Sequence, residues 1–300
     1  MQQVEVTGLF VYPVKSLKGI SLNRATLTPQ GIENDRRWMV VGPGGRFLTQ
    51  RQLPKMALIR TSFGKDGLIL DAPGQKAIEI PFSDPDGARL PVTVWKDICE
   101  AVDEGDEVSG WLSTALSRNE KLQLVRLAPG TQRPQSHPEV LGENTHINFA
   151  DAAPFLVADE ASLAAVNSAL IEKGEAQVPM NRFRPNIVTR GLGAFNEHSV
   201  KMMKRDDLEL AFAHPCERCV LTTVNQETGE KHPDMEPFRT VKALNPSPSN
   251  KEMPAFGHNT VLRSSSVEPD ALSVGEHLQV VFDDAERRDF PGTPGDSSSK

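Results

Sequence analysis

VEVTGLFVY, residues 4–12, is a short run of strand-forming residues that ends at Pro13, and it sets the pattern of the first third of the chain. As far as Phe82 the chain continues in short apolar or alternating runs divided by Gly, Pro and Asp, which is the signature of a β-rich region. Further strands are predicted over residues 37–41, 57–62, 68–70, 77–80, 91–95 and 98–102, the last two joined by a tight turn at Lys96 and Asp97. GPGG, residues 42–45, reads as a hairpin turn, because glycine tolerates the positive φ such turns need. No helix with Lys-Ser/Thr follows it, so it is not a phosphate loop.

Val108, Trp111, Leu112, Ala115 and Leu116 recur at helical spacing and predict a helix over residues 106–116, with a strand at 122–127. Residues 128–144 are rich in Pro and polar side chains without periodicity; they read as a long loop, either a lid or a connector. A second helix is predicted over 159–170, with Asp159 as N-cap, Glu160 at the positive end of the dipole, and Leu163, Val166 and Leu170 on one face. Strands are expected at 186–189, 208–212, 220–224 and 277–282. The expected fold is mainly β with flanking helices: an N-terminal β-rich domain over 1–126, a second β domain over 127–282, and a disordered tail over 283–300, where the composition turns charged and then Gly/Pro/Ser-rich.

At 300 residues, 38% hydrophobic and 24% charged, the composition is that of a soluble globular protein. No run approaches the roughly 18 apolar residues of a membrane span, and the N-terminus lacks the pattern of a signal peptide, so a cytoplasmic location is expected. The formal net charge of -7 argues against a broad nucleic-acid surface. It leaves room for a local basic pocket, for which Lys15, Lys18, Arg36, Arg37, Arg182, Arg184 and Arg218 are candidates.

Only Cys99, Cys216 and Cys219 carry thiols, and the last two stand as Cys-x-x-Cys in HPCERCVLTTV. Three readings of that pair are open. A zinc site needs a tetrahedral ligand set, and only His214 and His232 are near enough in sequence to complete it. A thioredoxin-like redox pair belongs at a helix N-terminus, whereas the β-branched VLTTV points to a strand. The third reading is a single thiolate holding a cofactor metal.

Six segments, VYPVKSLKG, DRRWMV, FLTQRQLPKMALI, FADAAPFLVADEASL, NRFRPNIV and PCERCVLTTVNQETGE, occur in the order of the MOSC family, the molybdenum-cofactor sulfurase C-terminal domain with its N-terminal β-barrel partner. The sequence resembles in particular bacterial YcbX-type proteins and the mitochondrial amidoxime-reducing components. The resemblance covers nearly the whole chain and implies that the second domain is a MOSC β-barrel. It also implies a molybdenum cofactor, a molybdenum-pyranopterin held by one protein thiolate. By position that metal ligand is Cys219, with Cys216 a neighbour. The cofactor-binding positions map onto Lys15, Ser16, Arg36, Arg184, Asn186 and Arg218, cations and donors suited to a pterin phosphate. Asp151 matches a carboxylate near the metal, where it would bond an oxygen or water and relay protons. Trp38 and Phe183 are read as core.

The implied activity is molybdenum-dependent reduction of N-hydroxylated compounds: hydroxylamines, N-hydroxylated bases and amidoximes. Many YcbX-type proteins resemble a fusion to a plant-type ferredoxin domain, but no cysteine follows Cys219 here, so no iron-sulfur cluster is expected in this chain. Electrons would come from a separate reductase, ferredoxin or flavoprotein. The rival readings are a carrier module for the cofactor or for sulfur, and a zinc-stabilised interaction protein.

Overall fold

The computed structural model describes residues 2–135, 137–206, 208–264 and 270–283. The first strand, β1 (Gln3–Val11), turns Val4, Val6, Leu9 and Val11 into the core; the step from even to odd positions falls at a register shift between Val6 and Gly8, where a bulge swaps the inward face. The chain continues through β2 (Ile20–Leu22), β3 (Arg24–Thr28), β4 (Gly31–Ile32), β5 (Trp38–Val41), β6 (Arg60–Phe63), β7 (Gly67–Asp71), β8 (Ile78–Pro81), β9 (Arg89–Val94) and β10 (Asp97–Asp103) to the helix α1 (Asp106–Ala115). Next come β11 (Gln123–Leu127), a one-turn helix α2 (Pro138–Leu141), β12 (Phe155–Asp159), α3 (Glu160–Glu172), β13 (Ile187–Arg190), β14 (Val200–Arg205) and β15 (Leu208–Glu217). The last elements are α4 (Phe238–Leu244), β16 (Ala255–Ser264), β17 (Asp270–Ser273) and β18 (His277–Phe282).

The mainly β architecture with flanking helices is as the sequence implies. Strands β13, β12, β16, β15, β14, β18 and β1 hydrogen-bond in that order, and the pairing of β1 with β13 closes the ring into a barrel. Aliphatic and aromatic side chains from these staves, among them Phe155, Ile187, Met203, Leu210 and Leu278, fill the interior. Strand β1 is thus a stave of the barrel built mainly by the second half of the chain. Beyond the barrel lie a sheet ordered β5-β11-β10-β9 and a three-stranded β6-β7-β8 sheet. Trp38, Met56, Leu68, Leu112 and Leu124 form one core there, with α1 packed on β11.

Four local readings are corrected. Residues 220–224 form a 3₁₀ turn (Val220–Thr223), not a strand: the hydroxyls of Thr222 and Thr223 donate to the carbonyls of Cys219 and Val220, a local alternative that overrides β-propensity. Strand β6 begins only at Arg60, because Pro54 opens a 3₁₀ turn over Pro54–Leu58. Strand β15 runs on to Glu217 through Pro215, where the ladder shifts register and accommodates the missing N–H. The loop over 128–144 contains α2, whose Leu141 packs against Ala153 and Ala211. GPGG reverses the chain as expected, as a 3₁₀ turn that brings Val41 opposite Phe47. The tail over 284–300 lies outside the described residues.

Candidate active site

Three distant segments are laced side by side by their backbones. Leaving the barrel, β1 runs into Tyr12–Lys15; the amide of Lys15 donates to the Trp38 carbonyl, those of Arg36 and Trp38 donate to Tyr12 and Pro13, and the amide of Phe149 donates to Arg36. Lys15, Arg36 and Asp151 are neighbours for that reason. NRFRPN supplies a fourth segment, where the amide of Asn186 donates to Leu156. The fifth is the end of β15, where the amide of Arg218 donates to Pro254 and Cys219 caps the following 3₁₀ turn.

These segments enclose a cavity of about 640 Å³. All eight residues singled out in the sequence line it: Lys15, Ser16, Arg36, Asp151, Arg184, Asn186, Arg218 and Cys219. Of the other candidate cations, Lys18 pairs with Glu227, Arg37 lies against Asn34, Phe82 and Asp84, and Arg182 donates to Thr222; none lines the cavity. Ser16, Arg36 and Arg184 hold left-handed backbones with φ of 67°, 46° and 55°. Such strain in non-glycine residues needs a surrounding structure that over-determines it, and three cases around one cavity mark a built site.

Lys15 is buried, and its Nζ donates to the Phe149 carbonyl at 2.7 Å and to Asp151 Oδ1 at 2.5 Å. Burial lowers its pKa, against the opposing pull of Asp151. Asp151 also accepts from the Trp95 indole at 2.8 Å. Desolvation at the cavity wall pushes its pKa up, but the charge and hydrogen bond of Lys15, the Trp95 bond and Arg36 more than reverse that and hold the carboxyl below the usual range, although its side chain is 65% exposed. Asp151 is thus an acceptor shared by the Lys15 ammonium and the Trp95 indole.

Arg36 donates to Asp35 at 2.5 Å, to Asn186 at 3.1 Å and to the Arg184 carbonyl at 3.3 Å. Asn186 is itself committed: Oδ1 accepts from the Leu156 amide, and Nδ2 donates to the Phe10 carbonyl. It lines the cavity and accepts from Arg36 there. The guanidinium carbons of Arg36 and Arg184 lie 4.4 and 4.2 Å from the ring centroid of Tyr12, a cation-π contact with both. Burial lowers the pKa of Arg184 to about 10, with Arg36 adding to the effect against Tyr12.

Arg218 turns its guanidinium to Cys216, not Cys219, donating to Cys216 Sγ at 2.8 Å and to the Phe183 carbonyl at 2.6 Å. Cys216 sits at the register shift between Pro215 and Glu217, the kind of bulge that re-aims a side chain. Both cysteines line the cavity, and so does His214, whereas His232 does not and lies against Glu175. Trp38 and Phe183 are fully buried; Phe183 stacks on Phe256 with ring centroids 3.7 Å apart.

The structure adds residues that no motif singled out. His137, from the expected loop, lines the cavity beside His214, with ring centroids 4.4 Å apart. Burial lowers the pKa of His214, which favours the neutral ring, and its Nε2 is buried with no hydrogen-bond partner among the described residues. Trp95 reaches the site from the β9–β10 turn, across a sequence gap that no local pattern spans.

Residues 3–119 match the MOSC N-terminal beta barrel domain and residues 144–279 the MOSC domain. The sequence is 33% identical to the human mitochondrial amidoxime-reducing component 1 over 94% of this chain and 84% of that protein. It is 31% identical to the bovine mitochondrial amidoxime reducing component 2, over 86% of this chain and 79% of that one. With both domains matched in order and relatives of this similarity along nearly its full length, the chain belongs to the MOSC family.

Proposed function

We propose that the protein is a molybdenum-cofactor-dependent oxidoreductase that reduces N-hydroxylated compounds with electrons from a separate protein. The observation that carries this reading is the convergence of Cys219 with Lys15, Ser16, Arg36, Arg184 and Arg218 on one cavity, in a relative of amidoxime-reducing components. The donor set fits an anionic, sulfur-ligated cofactor. Four cations line the cavity against the carboxylates of Asp151 and Glu217, with Asp35 behind Arg36. Arg184 Nη2 and Arg218 Nε are buried with no hydrogen-bond partner among the described residues, so a bound anion would satisfy donors left over there. Cys219 offers the soft ligand that a redox-active metal favours.

In this reading Lys15, Arg36, Arg184 and Arg218 hold the pterin phosphate, and Cys219 Sγ holds the metal. When bound, the cofactor supplies two-electron redox chemistry at the N–O bond. Reduction of R–NH–OH takes two electrons and two protons and gives R–NH₂ and water. Asp151, kept ionised by Lys15 and Trp95, balances the positive charge of the cavity. His214 and His137 are the imidazoles on the cavity wall that can hand on a proton, His214 through Nε2. In the same reading electrons reach the cofactor from a separate reductase, ferredoxin or flavoprotein.

The test is reduction of benzamidoxime to benzamidine by the cofactor-loaded protein, with reduced methyl viologen as donor. Turnover by the parent and none by Cys219→Ser is expected. A loaded parent that fails to turn over N-hydroxylated substrates contradicts the reading.

A further inference from the structure

The turn between β9 and β10 borders a depression lined by Arg46, Phe47, Arg51, Trp95 and Lys96. Trp95 sits there with φ 56° and is 45% exposed, yet its Nε1 donates to Asp151, a residue of the cavity wall. The guanidinium of Arg51 lies over the Trp95 ring at 4.3 Å, and Phe47 packs against it with centroids 5.2 Å apart. Arg46 and Lys96 complete the rim of this depression. Its one carboxylate, Asp97, is taken by Arg133. Arg46, Arg51 and Lys96 form no ion pair among the described residues, and Lys231 extends the basic face by donating to the Arg51 carbonyl at 2.8 Å. Ile98, 76% exposed, adds an apolar contact on the same hairpin.

From this geometry we infer that the face of Arg46, Arg51, Trp95 and Lys96 is the docking surface for the electron donor, a small acidic one-electron carrier protein. The inference rests on the reductase reading above. An exposed aromatic with an apolar neighbour inside a rim of like charges is the anatomy of a protein interface. Uncompensated cations on a chain of net charge -7 select a partner of opposite sign and steer its approach. Position supplies the second reason: a carrier seated on Trp95 is one hydrogen bond from the cavity wall, at Asp151 Oδ1. Two successive dockings deliver the two electrons that one N–O cleavage needs, each oxidising one carrier, while the two protons are drawn from water.

The double variant R46E/K96E reverses the rim and leaves Arg51, Trp95 and the cavity untouched. Three purified acidic carriers serve as probes: a [2Fe–2S] ferredoxin, a flavodoxin and a cytochrome b5. Binding of each oxidised carrier to the protein is measured by calorimetry at about 20 mM salt, where surface charges are little screened, and turnover is measured with each reduced carrier and with methyl viologen. At least one carrier is expected to bind and support turnover, with affinity falling as salt rises. The variant is expected to bind it about tenfold more weakly or worse, with methyl viologen turnover unchanged. Equal carrier binding by variant and parent, or binding of none of the three while methyl viologen drives turnover, overturns the docking surface. Failure of methyl viologen itself overturns the reductase reading and the docking inference with it.

Discussion

Glu197 shows how far burial alone can set the state of one residue. Its carboxyl is fully buried against the Ser162 hydroxyl, and burial raises its pKa from 4.5 to about 8. The folded chain therefore keeps a proton that the unfolded chain releases near pH 4.5. Its contribution to stability is complete below pH 4.5 and is lost as the pH rises toward 8, by at most about 5 kcal/mol. Glu197→Gln mimics the neutral form, so thermal unfolding followed from pH 5 to 8 should show a smaller fall in Tm than the parent. A parallel fall in both proteins contradicts the assignment. Glu197 carries no signal in the sequence, because its environment is built by α3 and the turn before β14. The cavity residues are legible for the opposite reason: each sits in a compact motif such as YPVKS, DRRW or NRFRPN. What those motifs do not state is direction. That Arg218 points to Cys216, or that Arg36 and Arg184 share Tyr12, depends on partners up to 172 positions away in the chain.

At the level of elements, hydrophobic pattern locates the strands with plain alternation and both longer helices. It fails where the local chemistry runs against the tertiary setting. VLTTV has the composition of a strand, yet two threonine hydroxyls fold it back into a 3₁₀ turn that sets Cys219 at its start. HPCE has the composition of a loop, yet it continues β15 through two register shifts. Strand β16, AFGHNTVLRS, lacks a clear strand signal because Gly257, His258 and Asn259 interrupt its apolar run; Asn259 lines the cavity, and His258 lies against His198. All three exceptions border the cavity, through Thr222, through His214 to Glu217, and through Asn259.

On the scale of the molecule, the chain's two ends are woven together. Strand β1 closes the barrel between β13 and β18, and β17 pairs with β3. A sequence reading that groups residues 1–126 as one unit has no means to see this, because strand pairing across some 180 positions leaves no local trace. Residues 127–283 alone would expose the free edges of β13 and β18 and the apolar face that Val4, Val6, Leu9 and Val11 cover. That fragment should show no cooperative thermal transition, and a cooperative transition like that of the full chain would contradict the closed-barrel account.

The whole molecule also brings the two halves to one cavity, with Lys15, Ser16 and Arg36 from the first and Asp151, Arg184 and Cys219 from the second. The central claim is that this cavity holds molybdenum through Cys219, and elemental analysis of the purified parent, Cys216→Ser and Cys219→Ser proteins, coupled to detection of released oxidised pterin, tests it most directly. Molybdenum with pterin in the parent and in Cys216→Ser, with the metal lost from Cys219→Ser, is the predicted result. Zinc in place of molybdenum, or molybdenum retained by Cys219→Ser and lost from Cys216→Ser, would contradict it.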